Sequence, residues 1–191
     1  MSSDTDYHSI DLDRLQNRLS LLGEVGRIEK AGVCRLALTD ADQAGRDLVT
    51  GWMHQLGLTV KIDQIGNVWG IRSGAEDGPP VMIGSHIDTV ATGGRYDGNL
   101  GVLAGLEIIE YLNDKNIHTR KPIAVAFFTN EEGARFTPDM MGSAVHQGSL
   151  KLEVALAEKD SSGATVGDEL RRIGYDGHHP VNTCPVDSFL E

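Results

Sequence analysis

Residues 81–132 read VMIGSHIDTVATGGRYDGNLGVLAGLEIIEYLNDKNIHTRKPIAVAFFTNEE. Val81-Met82-Ile83 is a short apolar run, and a polar, glycine-rich loop follows from Gly84 to Asn99. Leu100 to Leu112 is apolar on almost all sides, the pattern of a buried helix. Pro122 opens a second apolar run, Ile123 to Phe128, that ends in Thr129-Asn130-Glu131-Glu132. Strand, loop, helix, strand is a βαβ unit, whose crossover is right-handed and whose strands are parallel in nearly every case. Parallel strands place their C-terminal ends on one edge of the sheet, the ligand edge of α/β folds. His86 and the Glu131–Glu132 pair are therefore expected to be neighbours, with Asp97 in the loop above that edge.

Outward from this unit the pattern stays α/β. Asp11 to Lys30 is helix-like, with Leu12, Leu15, Leu19 and Leu22 at three- and four-residue spacings. Thr39 or Asp40 can cap a second helix that runs to about Gln55, and Gly57 ends it. Leu58–Ile62 and Val68–Ile71 flank Gly66-Asn67 and suggest a strand pair. Gly74 to Pro80 reads as a turn.

The whole chain, 191 residues with 40% apolar and 24% charged, is long enough for one domain with a real core. Its net charge of −11 disfavours a nucleic-acid partner and is compatible with cation binding. The N-terminal stretch is acidic and polar, without the basic and apolar regions of a signal peptide. Its apolar runs are far too short for a membrane span. Cys34 and Cys184 stand far apart and outside any CxxC spacing, which suits free thiols and a cytoplasmic setting. No GxSxG or P-loop string occurs, which argues against serine-hydrolase and NTPase chemistry.

One neutral imidazole with several carboxylates suits a divalent metal such as Zn²⁺, Mn²⁺ or Co²⁺. A metal-activated water could then attack a carbonyl while a carboxylate takes its proton. Asp88, two residues beyond His86, could accept the other ring N–H and fix the imidazole. Each piece also has a plainer reading. The Glu131–Glu132 pair could be a solvated turn, and Asp97-Gly98-Asn99 a turn whose Asn99 caps the next helix.

The strings Gly84-Ser85-His86-Ile87-Asp88-Thr89-Val90, Gly93-Gly94-Arg95-Tyr96-Asp97-Gly98 and Phe128-Thr129-Asn130-Glu131-Glu132-Gly133-Ala134-Arg135-Phe136 resemble one family. It is the amidase, or hydantoinase/carbamoylase, branch of the dinuclear metallohydrolases related to the zinc aminoacylases and carboxypeptidases (M20). The branch holds N-carbamoyl-L-amino acid hydrolases, β-ureidopropionases and allantoate amidohydrolases. The resemblance runs from the first helix through Gly142-Ser143 to Phe189-Leu190-Glu191. It implies a three-layer α/β sandwich with a mainly parallel sheet, residues 1–191 being part of a catalytic domain. It implies two divalent metal ions: His86 would bind one, Asp97 would bridge both and Glu132 would bind the other. Glu131 would be the general base, and Asp88 would orient His86. The implied substrate is an N-carbamoyl amino acid or a related ureide, and the implied complete enzyme is a homodimer.

Other histidines are expected to lie elsewhere: His178 and His179 in a surface loop, His146 at a packing position in a helix, and His54 late in the second helix. His8 and His118 fall in a tail and a loop. The resemblance also implies a His-Ile-Glu-Gln segment after Phe189-Leu190-Glu191, whose His would complete one metal site. The 191 residues stop at Glu191, so this chain alone is expected to bind metal weakly and turn over little.

Overall fold

The computed structural model describes residues 10–29, 32–183 and 185–191. His8, Lys30 and Cys184 lie outside the described residues. The elements in chain order are α1 (Leu12–Glu24), α2 (Asp40–Gln55), β1 (Thr59–Ile62), β2 (Val68–Arg72), β3 (Val81–His86), α3 (Asn99–Asp114), β4 (Ile123–Phe128), α4 (Met141–Gln147), α5 (Leu152–Ala157), α6 (Val166–Ile173) and β5 (Ser188–Leu190).

Local signals set most helix boundaries. The Asp11 carboxylate accepts from Arg14 N at the start of α1, and Thr39 Oγ1 accepts from Asp42 N at the start of α2. Gly57, at φ 76°, takes the chain out of α2. The first helix is shorter than its leucine spacing suggests. Val25 is extended and Gly26 has a φ of 80°, so the chain turns back and Cys34 N donates to Gly26 O at 2.8 Å.

The five strands form one sheet in the order β1-β2-β4-β3-β5, flanked by helices. β1, β2 and β4 pair antiparallel, while β3 lies parallel to both β4 and β5. The βαβ unit is thus β3-α3-β4. β3 runs three residues beyond its apolar part, because its ladder with β4 continues from Val81↔Ile123 to His86↔Phe128. Backbone pairing carries the polar residues Ser85 and His86 into the strand, so the loop begins after His86 and not at Gly84.

α3 is less uniformly apolar than its sequence reads. Glu107 is fully buried and accepts from Arg14 Nε at 2.8 Å and Nη2 at 2.7 Å, which ties α1 to α3. Leu100 on the same helix is 45% exposed. The main core lies on the α3 side of the sheet and includes Val102, Leu103, Leu106, Ile109, Val125 and Phe127. A smaller cluster of Trp69, Met82, Ala124, Ala126 and Phe128 occupies the other face. Among the described residues no helix is long and apolar enough to cross a membrane.

Candidate metal and base site

The C-terminal ends of β3 and β4 lie side by side, so His86 and the loop that follows Phe128 share one edge. Asp88 joins them. Its backbone carbonyl lies 2.9 Å from His86 Nδ1. A carbonyl can only accept, so Nδ1 carries the proton and Nε2 keeps its lone pair. The Asp88 carboxylate faces the other strand, accepting from Glu131 N at 3.3 Å and Glu132 N at 3.2 Å. Its Oδ1 is 3.9 Å from His86 Nδ1, beyond hydrogen-bond reach. His86 is therefore oriented by the Asp88 backbone, and the carboxylate itself organises the glutamate turn. Burial pushes the Asp88 carboxyl up to about 6; the nearby Asp42 charge adds to this, and His86 and the two N–H donors oppose it.

Glu131 is held on both carboxylate oxygens by one residue: Ser143 N donates to Oε1 at 2.9 Å and Ser143 Oγ to Oε2 at 2.8 Å. Burial raises the Glu131 proton affinity, the Ser143 donors and His86 lower it, and Glu191 raises it further. A carboxylate moved upward from its ordinary value is better placed to take a proton near neutrality.

Asp97 stands apart from this hydrogen-bonded group, exposed at the end of the loop. Gly98 follows it at φ 66°, and a Cβ there would lie 2.6 Å from the His86 ring, so only glycine lets the Asp97 turn close on the imidazole. Gly98 is the N-cap of α3, with Asn99 as its first residue. Asn99 does not cap the helix; its Oδ1 accepts from Arg35 Nη2 at 2.9 Å and its Nδ2 donates to Arg95 O at 3.1 Å. An open groove of about 500 Å³ runs past Ser85, Asp97, Gly98 and Glu191. Ser85 Oγ donates to Glu191 Oε1 at 2.8 Å, which places Glu191 between that groove and the Glu131 side.

Among the described residues no three His, Cys, Asp or Glu side chains converge to hold a metal ion. The donors nonetheless suit a divalent cation in kind: an imidazole with its Nε2 lone pair free, and the acidic residues Asp97 and Glu132 on the same edge. His54 and His118 lie away from this edge, whereas the exposed His178-His179 pair sits at the end of β1, two strands from β4 along it. His179 bridges to Asp63, and His54 closes α2.

Three supporting residues carried no recognisable signal in the sequence. Arg35 is fully buried and donates from Nε to Ile87 O at 2.7 Å as well as to Asn99, bracing the loop at both ends. Asn67 Oδ1 accepts from Thr129 N at 2.9 Å and its Nδ2 donates to Gly142 O at 3.0 Å. It thereby joins the strand end before Glu131 to the helix start that holds Glu131. A Cβ on Gly142 would lie 2.2 Å from Asn67 Oδ1. Ser143 is the third; its part of the sequence was visible, but its partner was not.

Comparison with known proteins agrees with this architecture. Residues 67–159, which hold all five candidate residues, match the family described as Peptidase family M28. An N-carbamoyl-L-amino-acid amidohydrolase of Rhizobium meliloti is 42% identical over 192 residues, covering 100% of this chain and 46% of the relative. A second, from Geobacillus stearothermophilus, is 42% identical and covers 86% of this chain and 40% of the relative. The crystal structure of a hydantoinase/carbamoylase family amidase from Burkholderia ambifaria superposes with a TM-score of 0.92 at 47% identity, covering 94% of this chain and 44% of that one. The chain spans less than half the length of the relatives it matches. With that agreement in sequence and backbone, the chain is similar over nearly its whole length to part of the hydantoinase/carbamoylase family amidases.

Proposed function

We propose that this chain supplies the metal ligands and the general base for hydrolysing the ureido C–N bond of an N-carbamoyl-L-amino acid, a small-molecule substrate. The observation that carries the reading is the Asp88 bridge, which orients His86 with its carbonyl and holds the Glu131–Glu132 turn with its carboxylate. The names of the amidohydrolase relatives support the substrate class.

His86 through Nε2, Asp97 and Glu132 would hold two divalent ions such as Zn²⁺, Mn²⁺ or Co²⁺, with Asp97 shared between them. Such ions, when bound, polarise a carbonyl and acidify water. Glu131 takes the proton of the attacking water and returns it to the departing nitrogen, with Ser143 keeping its carboxylate in place between the two transfers. Asp88 keeps the glutamate turn fixed so that neighbouring carboxylates serve different tasks. A homodimer belongs to the same reading.

Calorimetric titration of the chain with Zn²⁺ and Co²⁺, together with ammonia release from N-carbamoyl-L-amino acids, tests it. Binding is expected to be weak, because no three donors converge among the described residues. His86→Ala and Asp97→Asn should abolish it. Glu131→Gln should leave metal binding in place while cutting ammonia release by roughly 10²–10⁴-fold. Metal affinity unchanged in His86→Ala and Asp97→Asn, or full turnover in Glu131→Gln, would overturn the assignment.

A further inference from the structure

Beside Glu131, between α4 and the thin face of the sheet, lies a cavity of about 300 Å³. This is the lower end of the size range of small-molecule sites, roughly 300–1,000 Å³, and suits one side chain better than a whole large ligand. Met82, Phe128, Met140, His146, Val186 and Phe189 form its walls. Three of these are rings: Phe189 meets Phe128 edge-on at 5.9 Å, and His146 lies 5.8 Å from Phe128. Trp69 backs the His146 ring at 5.4 Å. His146 Nδ1 is buried without a hydrogen-bond partner, and burial lowers the basicity of the ring, so this wall is uncharged. Glu131 and Glu191 also line the cavity, and among the described residues no Lys or Arg does.

We propose that this cavity receives the side chain of the substrate amino acid and selects aromatic or bulky apolar ones. The inference rests on the hydrolase reading above and deepens it. In an N-carbamoyl amino acid the side chain and the ureido nitrogen share one carbon. A side chain seated here therefore brings the ureido group to the cavity wall that Glu131 forms. Aromatic rings favour edge-to-face and offset contacts, which the Phe128, Phe189 and His146 rings offer. Two carboxylates, with no cation among the described lining residues, reject an acidic side chain, which would be desolvated beside like charge. His146 is then a specificity residue, because its ring separates the cavity from Trp69.

The protein has two tryptophans, so a Trp52→Phe chain leaves Trp69 as its only indole fluorophore. Its emission is followed during titration with N-carbamoyl-L-phenylalanine, N-carbamoylglycine, N-carbamoyl-L-aspartate and the unreactive probe 3-phenylpropanamide. The phenylalanine derivative should give a saturable change with a Kd at least about tenfold below that of the glycine derivative, and the aspartate derivative none. Val186→Phe fills the cavity and should raise that Kd about tenfold or more; if it does not fold, Phe189→Ala on the exposed edge strand should weaken binding in its place. Equal Kd values for the phenylalanine and glycine derivatives would overturn the proposal. So would a Kd unchanged by both variants, because the ligand would then sit elsewhere around Trp69, for example in the cavity lined by Lys61, Pro80 and Pro122. If 3-phenylpropanamide binds and N-carbamoyl-L-phenylalanine does not, the substrate assignment fails with it. Ammonia release without side-chain preference would leave the hydrolase reading standing and remove this one.

Discussion

Alternate residues of β4 face opposite sides of the sheet, and the two sides are built very differently. Val125 and Phe127 pack into the large core with Val102, Leu103, Leu106 and Ile109 of α3. Ala124, Ala126 and Phe128 meet only a small cluster with Trp69 and Met82. The large side also buries a charge pair, although Asp42 Oδ1 there has no hydrogen-bond partner. Arg46 donates to the Asp42 carboxylate at 2.8 Å and to Gly66 O at 2.7 Å, and its guanidinium lies 5.5 Å from the Phe127 ring and 5.2 Å from the Tyr175 ring. Among the described residues, the thin side holds two buried side-chain nitrogens with no partner and no ion pair to accompany them, Trp69 Nε1 and His146 Nδ1. The first face is closed packing that fixes the backbone. The second keeps open volume beside Glu131, the space that the proposed side-chain site uses.

The comparison can be broken most severely on the closed side. Arg46→Met strands the Asp42 carboxylate in the core, and a urea titration should show a loss of about 3–5 kcal/mol, as for one partner removed from a buried pair. A loss below about 1 kcal/mol would mean that the buried ion pair contributes little to this face.

Adjacent phenylalanines sharpen the contrast. Phe127→Ala should cost about 3–4 kcal/mol by urea denaturation, since its cavity is surrounded by packed residues, and Phe128→Ala only about 1–2 kcal/mol. Equal losses would show that the faces are energetically alike despite their different lining.

A further effect, comparable with the Phe128 loss, lies on the edge between the faces. The Asp88 carboxyl titrates at about 6 in the folded chain, against an ordinary value of 3.8. The folded state therefore holds the extra proton between those values, so the stability this group contributes is present at low pH and is lost as pH rises through that window. Asp88→Asn removes the slope. Thermal or urea unfolding at pH 4 and pH 7 should show the variant gaining about 1–3 kcal/mol relative to the parent across the interval. A constant difference would place the Asp88 carboxylate in a solvated setting.

Much of the edge was legible in the sequence, because short-range rules act there. The run from Val81 to Phe128 follows the periodicities of a βαβ unit, and Thr39 and Gly57 bound α2 through local hydrogen bonding and backbone freedom. Those rules predicted His86 and Glu131 on one edge. They did not reveal that β3 extends to His86, because a ladder partner supplies that register and the residues Ser85 and His86 do not advertise it. The early end of α1 came from Val25 and Gly26 overriding a leucine spacing that continued to look helical.

The sequence alone determined the α/β class, the family resemblance and the kinds of donor at the edge, since strand pattern and motif strings are local properties. Tertiary structure decided how those donors are held. The Asp88 carboxylate binds the backbone of Glu131 and Glu132, Ser143 clamps Glu131, and Asn67 links the two segments. Each of these contacts joins residues separated by 12 or more positions. No periodicity or spacing encodes such pairs; burial does, because polar groups withdrawn from water must find whichever partners the fold brings near.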